Sequence, residues 1–371
     1  MPVIRLTAIR GPSSLCDGRL VEAGLLREMS MGTAFVRTVS SIALVCAMLA
    51  LRFISAGSHA IPGQMLTVQR PLMGTVWNIE VVDHGRSDQA RAAIEKAYLE
   101  LQRIDALMSE WKPESPISQV NSAAGKHPVE VPEELREMLQ RSIRYSEATA
   151  GTFDVTWRGM SHIWHFDEAF KVPTREAVEA AKARVNYRAI QIVGNRVFLP
   201  AGMSIGLGGI AKGYAVDRAA KVLTDSGFPD SLVDGGGDVM LSGTRLGEPW
   251  RIGIQNPRGP HGAIIGMMRV TNCALVTSGD YERFRIVDGV RYHHIIDPRT
   301  GYPASASISV SIVARTAEEG VVLAKGVFIL GPERGMALAR QRGLEALLID
   351  PQEKRYFTPG FTRNFEPAET P

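Results

Sequence analysis

Cysteine is scarce in this chain: three residues in 371, at positions 16, 46 and 273. Two of them precede residue 60, so a chain that loses its N-terminal segment keeps Cys273 alone and forms no intrachain disulfide. Cys273 lies in an apolar, strand-like stretch and reads as a core residue. No Cys/His group has zinc-site spacing, and neither a P-loop nor a dinucleotide fingerprint is present. Internal repeats and low-complexity tracts are lacking too. Excess basic charge is missing where it would matter. The formal net charge is +3, but residues 1–60 hold six Arg, no Lys and three acids, and the remainder balances at 36 basic and 36 acidic residues. That balance argues against a nucleic-acid partner. Val39–Leu51 is the notable apolar run, short of the roughly 20 residues a membrane helix needs. Arg37 precedes it and Ser58-His59-Ala60 follows, the pattern of a secretory leader cleaved after about Ala60; an uncleaved anchor is the alternative. Arg37 stands alone, which does not support twin-arginine export, and Cys46 sits inside the run rather than after it, which argues against a lipoprotein site. Met29 or Met31 would give a leader of more usual length. The expected location is therefore exported: periplasmic, or held at the outer face of the inner membrane.

What is present suffices for one large or two modest domains. Leu66–Val82 holds two alternating runs around Met73-Gly74-Thr75. Ser87–Met108 places Ala93, Ala97, Leu101, Ile104 and Met108 at helical spacing, with Ser87 or Asp88 as cap. A further helix starts at Val131-Pro132 and stops at Gly151. In Gly151–Thr156, Asp154 either folds onto local backbone donors or contacts a ligand, while Trp157, Trp164 and Phe166 read as core. Thr174 caps a helix to about Val185, and Ala189–Leu199 is a hairpin about Gly194-Asn195. Ile205–Tyr214 reads as a strand, a glycine-rich turn and the start of a helix running to about Ser226, a ready anion site to which Lys212 adds a full charge. Asp234–Asp238 is a second glycine-rich bend. Strands are expected at Trp250–Gln255, Met267–Val276 and Ile308–Val313, helices at Glu318–Leu330 and Pro332–Arg342, and a hairpin over Leu344–Phe357. The tail from Thr358 is polar and proline-rich and is expected to be frayed. In Ser278–Ala304, two short strands flank Asp288-Gly289, a strong hairpin signal. His293-His294 ends the second strand, and Asp297–Gly301 makes a polar turn. This delivers an imidazole, carboxylates and a guanidinium to one rim, a candidate acid/base and anion site. The alternative is an ordinary hairpin with a structural histidine pair.

Several segments, in order, resemble the ApbE family of FAD:protein FMN transferases: Met73-Gly74-Thr75, GTFDVTWRGMSHIWHF from Gly151, IGLGGIAKGYAVDRAA from Ile205, TSGDYERF from Thr277 and HHIIDPRTGYPA from His293. The likeness spans about Met73 to Gly331. It implies an α+β fold, mixed sheets with packed helices and an inserted helical part, and an FAD groove between them. It implies that FMN moves from FAD to a threonine hydroxyl of an exported or membrane flavoprotein, with release of AMP. By resemblance Met73 lies at the flavin, Trp111 stacks on the isoalloxazine ring, and Asp154 and Gly208 contact FAD. Lys212 holds phosphate, Asp297 and Arg299 bind the cofactor or order its site, and His294 with Asp280 serves catalysis. Gly209 matches the main-chain carbonyl that binds Mg²⁺. The organisation expected is a leader over 1–60, the transferase domain over 61–357 and a tail over 358–371.

The chain departs from that pattern at the metal. Val321 stands where the family has a ligand Asp and Lys325 where it has a ligand Thr, while Gly206 replaces the Asp before Leu-Gly-Gly. A valine offers no oxygen to a hard cation. Lys325 would set an ammonium about where the metal sat; Glu318 and Glu319 would become ligands only if the alignment slipped by a turn. The departure keeps a second function open, a non-catalytic FAD-binding carrier or assembly factor.

Overall fold

The computed structural model describes residues 63–260 and 262–368. The expected leader, with Val39–Leu51, Cys16 and Cys46, lies outside the described residues. An eight-stranded sheet is the spine. Its strands, Met65–Leu72, Thr75–Val82, Ser231–Gly235, Val239–Ser242, Cys273–Gly279, Ser309–Ala314, Glu345–Ile349 and Arg355–Phe357, stand side by side in chain order. Every pairing in it is antiparallel, so the fold is α+β with sheets uniform rather than mixed in strand direction.

Because strand side chains alternate, the central strands feed two cores. Val233, Ala274, Val276, Ala346 and Leu348 face a layer of helices, Ser87–Met108, Ala211–Asp225 and Ala317–Gln341. Their neighbours Leu232, Leu275, Leu347 and Ile349 face a second, three-stranded sheet built from Trp250–Gln255, Ile264–Val270 and Phe365–Pro367. The molecule is thus helices on sheet on sheet. The inserted part, between the first helix and the glycine-rich turn, holds helices Pro116–Ser122, Glu133–Ala148 and Arg175–Lys182 and three short paired strands. No helix among the described residues is long and apolar enough to cross a membrane.

Three expectations need correction, and one helix is new. The tail is not frayed: Pro359–Arg363 is a helix, Phe361 is fully buried, and Phe365–Pro367 pairs with Gly266–Met268. Phe357, Phe361 and Phe365 pack as tilted rings with centroids 5.6–6.1 Å apart, filling the second core despite the polar residues between them. The domain therefore continues past residue 357. Met267–Val276 is not one strand; Asn272, at φ 51°, turns the chain so that Ile264–Val270 and Cys273–Gly279 belong to different sheets. Asparagine tolerates that left-handed turn. Neither Ser87 nor Asp88 caps the first helix: Arg86 occupies the cap position, and the Ser87 hydroxyl donates to Asp83. Pro116–Ser122 is an unanticipated helix, started by Pro116 and capped by the Ser115 hydroxyl oxygen, which accepts from the Ser118 N–H at 3.1 Å. The two helices expected after Glu318 do exist and meet at Gly331, whose φ of 77° only glycine adopts without strain.

Candidate active site

Ile205–Leu207 forms no strand. It is an irregular segment pinned from several sides. The Asn121 side chain accepts from the Ile205 N–H at 2.7 Å and donates to its carbonyl at 2.9 Å. Gly206 N–H donates to Val155 O at 2.8 Å, and Leu207 N–H to Glu110 Oε2 at 3.3 Å. This rigid entry leads to Gly208-Gly209 and the Ala211–Asp225 helix, which starts at Ile210 without a side-chain cap. In its first turn, Lys212 pairs with Asp238 at 3.0 Å and donates to Gly235 O at 3.3 Å. That joins the glycine-rich turn to the second glycine-rich bend. The bend is ordered by Asp234, whose Oδ1 accepts from Gly237 N–H at 2.7 Å; burial pushes its carboxyl up to about 6. Met73, at φ 49°, and Gly74 make the turn of the first hairpin, and Thr75 packs against Gly236. Lys212 therefore ties the helix start after Gly208-Gly209 to the Asp234–Asp238 bend, and the Met73-Gly74 turn reaches the same bend through Thr75.

The Ala317–Gln341 helix brings the next group. Asp217 fixes its start, accepting from Ala317 N–H at 2.7 Å and Glu318 N–H at 2.9 Å. Lys325 then reaches back: its Nζ donates to Val321 O at 2.9 Å and to Gly209 O at 3.3 Å. Burial pushes this amine down to about 8, with Asp238 opposing the shift and Lys212 reinforcing it. The residues do not fit Mg²⁺. The Val321 side chain has no oxygen to offer, the Val321 and Gly209 carbonyls already face an ammonium, and no group of three His, Cys, Asp or Glu among the described residues converges on a metal position. Glu318 is not a substitute ligand, because its Oε1 accepts from Arg141 Nε at 2.8 Å.

The hairpin Phe284–Val287/Val290–His293 forms as expected. Its two histidines differ. His293 Nε2 bonds Ala304 O at 2.7 Å, its Nδ1 accepts from Ile295 N–H at 3.3 Å, and its ring meets Phe328 edge-on. His294 Nδ1 is buried with no protein partner. Burial, with the neighbouring His293 ring and the charges of Lys325 and Arg283, pushes its imidazole down to about 3, so it is neutral at physiological pH.

Asp280 is not a free acid. Arg258 donates to its two oxygens at 2.7 Å each, and Arg291 stands 3.9 Å away. It lines a cavity of about 340 Å³ with Arg258, Arg291 and His293, on the His293 side of the hairpin. Arg299 forks onto Asp297 at 2.9 and 2.8 Å, tightening the turn. Asp154 spends its carboxylate on Thr156 and on Tyr187 N–H at 3.0 Å, so its geometry is that of a turn-orderer and not of a ligand contact.

Trp111 is 77% exposed, and the Arg158 guanidinium lies over its ring at 4.6 Å. Glu110, beside it, was not singled out from the sequence. Its carboxylate is nearly buried, 3.7 Å from Arg158, and burial raises its pKa. A Cβ added to Gly206 would sit 3.1 Å from Glu110 Oε1. Glu110 thus fills, from another segment, the space beside the position where the expected acid is missing. Its place next to Trp111 at the helix end was the available signal.

The family model described as ApbE family matches residues 73–348. The chain belongs to the ApbE family. It is 34% identical over 304 residues to the FAD:protein FMN transferase of Treponema pallidum, covering 76% of this chain and 84% of that protein. It is 32% identical over 308 residues to one from Klebsiella pneumoniae, covering 80% and 87%. Among solved structures, the ApbE protein of Thermotoga maritima superposes with a TM-score of 0.76 at 31% identity, over 81% of this chain and 99% of the other. The flavin transferase ApbE of Vibrio cholerae gives 0.73 at 30% identity, over 82% and 100%. The ApbE resemblance and the α+β reading of the sequence both hold.

Proposed function

We propose that this ApbE-family chain is an FAD:protein FMN transferase acting on an exported or membrane flavoprotein. The observation that carries the reading is the pairing of a neutral His294 of unpartnered Nδ1 with two lysines, Lys212 and Lys325, at a glycine-rich turn. FAD lies with its diphosphate against Gly208, Gly209 and the helix start at Ala211. Trp111, held by Arg158, offers a flat face to the isoalloxazine ring at little rotamer cost.

The threonine hydroxyl of the acceptor attacks the FMN phosphorus. A new P–O bond forms to the threonine oxygen, and the bond to the bridging oxygen of AMP breaks. His294 takes the hydroxyl proton, and AMP leaves with the bridging oxygen. Such transfer depends on positioning and charge stabilisation more than on covalent help. Phosphate charge also favours the imidazolium, so the low pKa of His294 rises when FAD is bound. Asp297, Arg299, Asp280 and Arg258 hold the hairpin that presents His294. The leader-like Val39–Leu51 supports an exported enzyme. The test mixes the protein, FAD and a threonine-bearing acceptor domain and reads covalent FMN by intact mass, with AMP as co-product.

Val321 and Lys325 favour a second reading, an FAD carrier without transfer. It predicts tight FAD binding and an acceptor of unchanged mass.

A further inference from the structure

The metal position and the chain disagree, and the disagreement has a definite shape. Val321 is buried and apolar, yet its carbonyl is used: it accepts from Lys325 Nζ at 2.9 Å. The Gly209 carbonyl accepts from the same nitrogen at 3.3 Å. The lysine stem lies under the turn, with its Cε 3.9 Å from where a Cβ on Gly209 would be, and Phe153 closes the other side at 3.2 Å. Lys212, the other cation of the groove, is already paired with Asp238.

We infer that Lys325 is a built-in replacement for the divalent metal, holding the diphosphate of the nucleotide without any metal ion. The inference rests on the reading of this groove as an FAD site. An ammonium has three N–H donors. Two point at Val321 and Gly209, which fixes the head in place, and the third is left for a phosphate oxygen. The two carbonyls play the part that oxygen ligands play for a metal. A divalent cation at Gly209 O would have to share that oxygen with a fixed positive charge, so the lysine excludes the metal as well as replacing it. The substitutions at 321 and 325 belong together. A carboxylate at 321 would draw the ammonium away from the groove, and valine does not.

The experiment is equilibrium binding of FAD, ADP and riboflavin to the full chain, in EDTA and in millimolar Mg²⁺. The parent protein is expected to bind FAD and ADP equally well in both, within about twofold. Lys325→Met is expected to lose about tenfold or more in FAD and ADP affinity, the scale of a charge-assisted phosphate contact, with riboflavin binding unchanged. Retained riboflavin binding shows that the variant is folded. The double variant Val321→Asp/Lys325→Thr is expected to bind FAD more tightly with Mg²⁺ than with EDTA. The inference is overturned if Mg²⁺ tightens FAD or ADP binding to the parent tenfold or more, or if Lys325→Met binds both as the parent does. A parent that binds ADP through Lys325 but neither FAD nor riboflavin keeps the cation and removes the flavin reading. A parent that binds none of the three overturns both.

Discussion

His293 ends a strand and His294 follows it directly, yet one ring is fully engaged and the other is not. His293 bridges Ala304 O and Ile295 N–H and leans on Phe328, stitching the hairpin to the polar turn behind it. His294, in the bend just past the strand, feels Lys325 and keeps Nδ1 without a protein partner. Both are held neutral by burial. What separates them is whether the ring nitrogens are already used: a satisfied imidazole supports structure, and an unsatisfied one in a groove can take a proton. The same contrast sorts the aspartates. Asp154, Asp280 and Asp297 all have partners, so they build the site without acting as bases.

The comparison is tested most sharply by rate. His294→Ala is expected to cut FMN transfer by about 10²–10⁴, the worth of a positioned general base, with the urea unfolding midpoint unchanged. His293→Ala should do the reverse in kind. It leaves Ala304 O and Ile295 N–H unpaired beside a new void, costing about 2–4 kcal/mol in chemical denaturation, while the folded fraction still binds FAD. Trp111→Ala removes an exposed ring, so stability should hold within about 0.5 kcal/mol. Its FAD affinity should fall about 3–10-fold by fluorescence titration, as loss of one stacking partner implies.

The smallest effect is on pH dependence. His294 titrates at about 3 in the fold against 6.5 for the free side chain. Between those values the unfolded chain binds the proton and the folded chain does not. Stability from this group is therefore full above about 6.5 and is lost as pH falls toward 3. His294→Gln should show a shallower decline of the urea midpoint between pH 7 and pH 5 than the parent. An equal slope would place the proton uptake elsewhere.

Much of this was legible because local pattern and tertiary environment agree. The Ser87–Met108 helix keeps its apolar spacing from end to end, and Asp288-Gly289 sets a hairpin that needs nothing distant. The break at Asn272 was hidden by apolar residues on both sides, since a run of that kind does not say which sheet each half joins. The ordered tail was hidden because Phe361 and Phe365 mean little until the second sheet is there to receive them. In the site, the glycine-rich turn, Lys212 and the histidine pair could be picked out by residue type and by likeness to the family. The division of labour could not. Arg258 reaches Asp280 across 22 positions, and Glu110 reaches Leu207 across 97, so only the fold reveals those pairings.

The most direct test of the central claim is the intact mass of a threonine-bearing acceptor after incubation with FAD and either the parent protein or His294→Ala, in Mg²⁺ and in EDTA. The parent is expected to add one FMN to the acceptor in both conditions, and His294→Ala to add none on the same timescale. An unmodified acceptor with the parent, or equal modification by His294→Ala, would contradict the account.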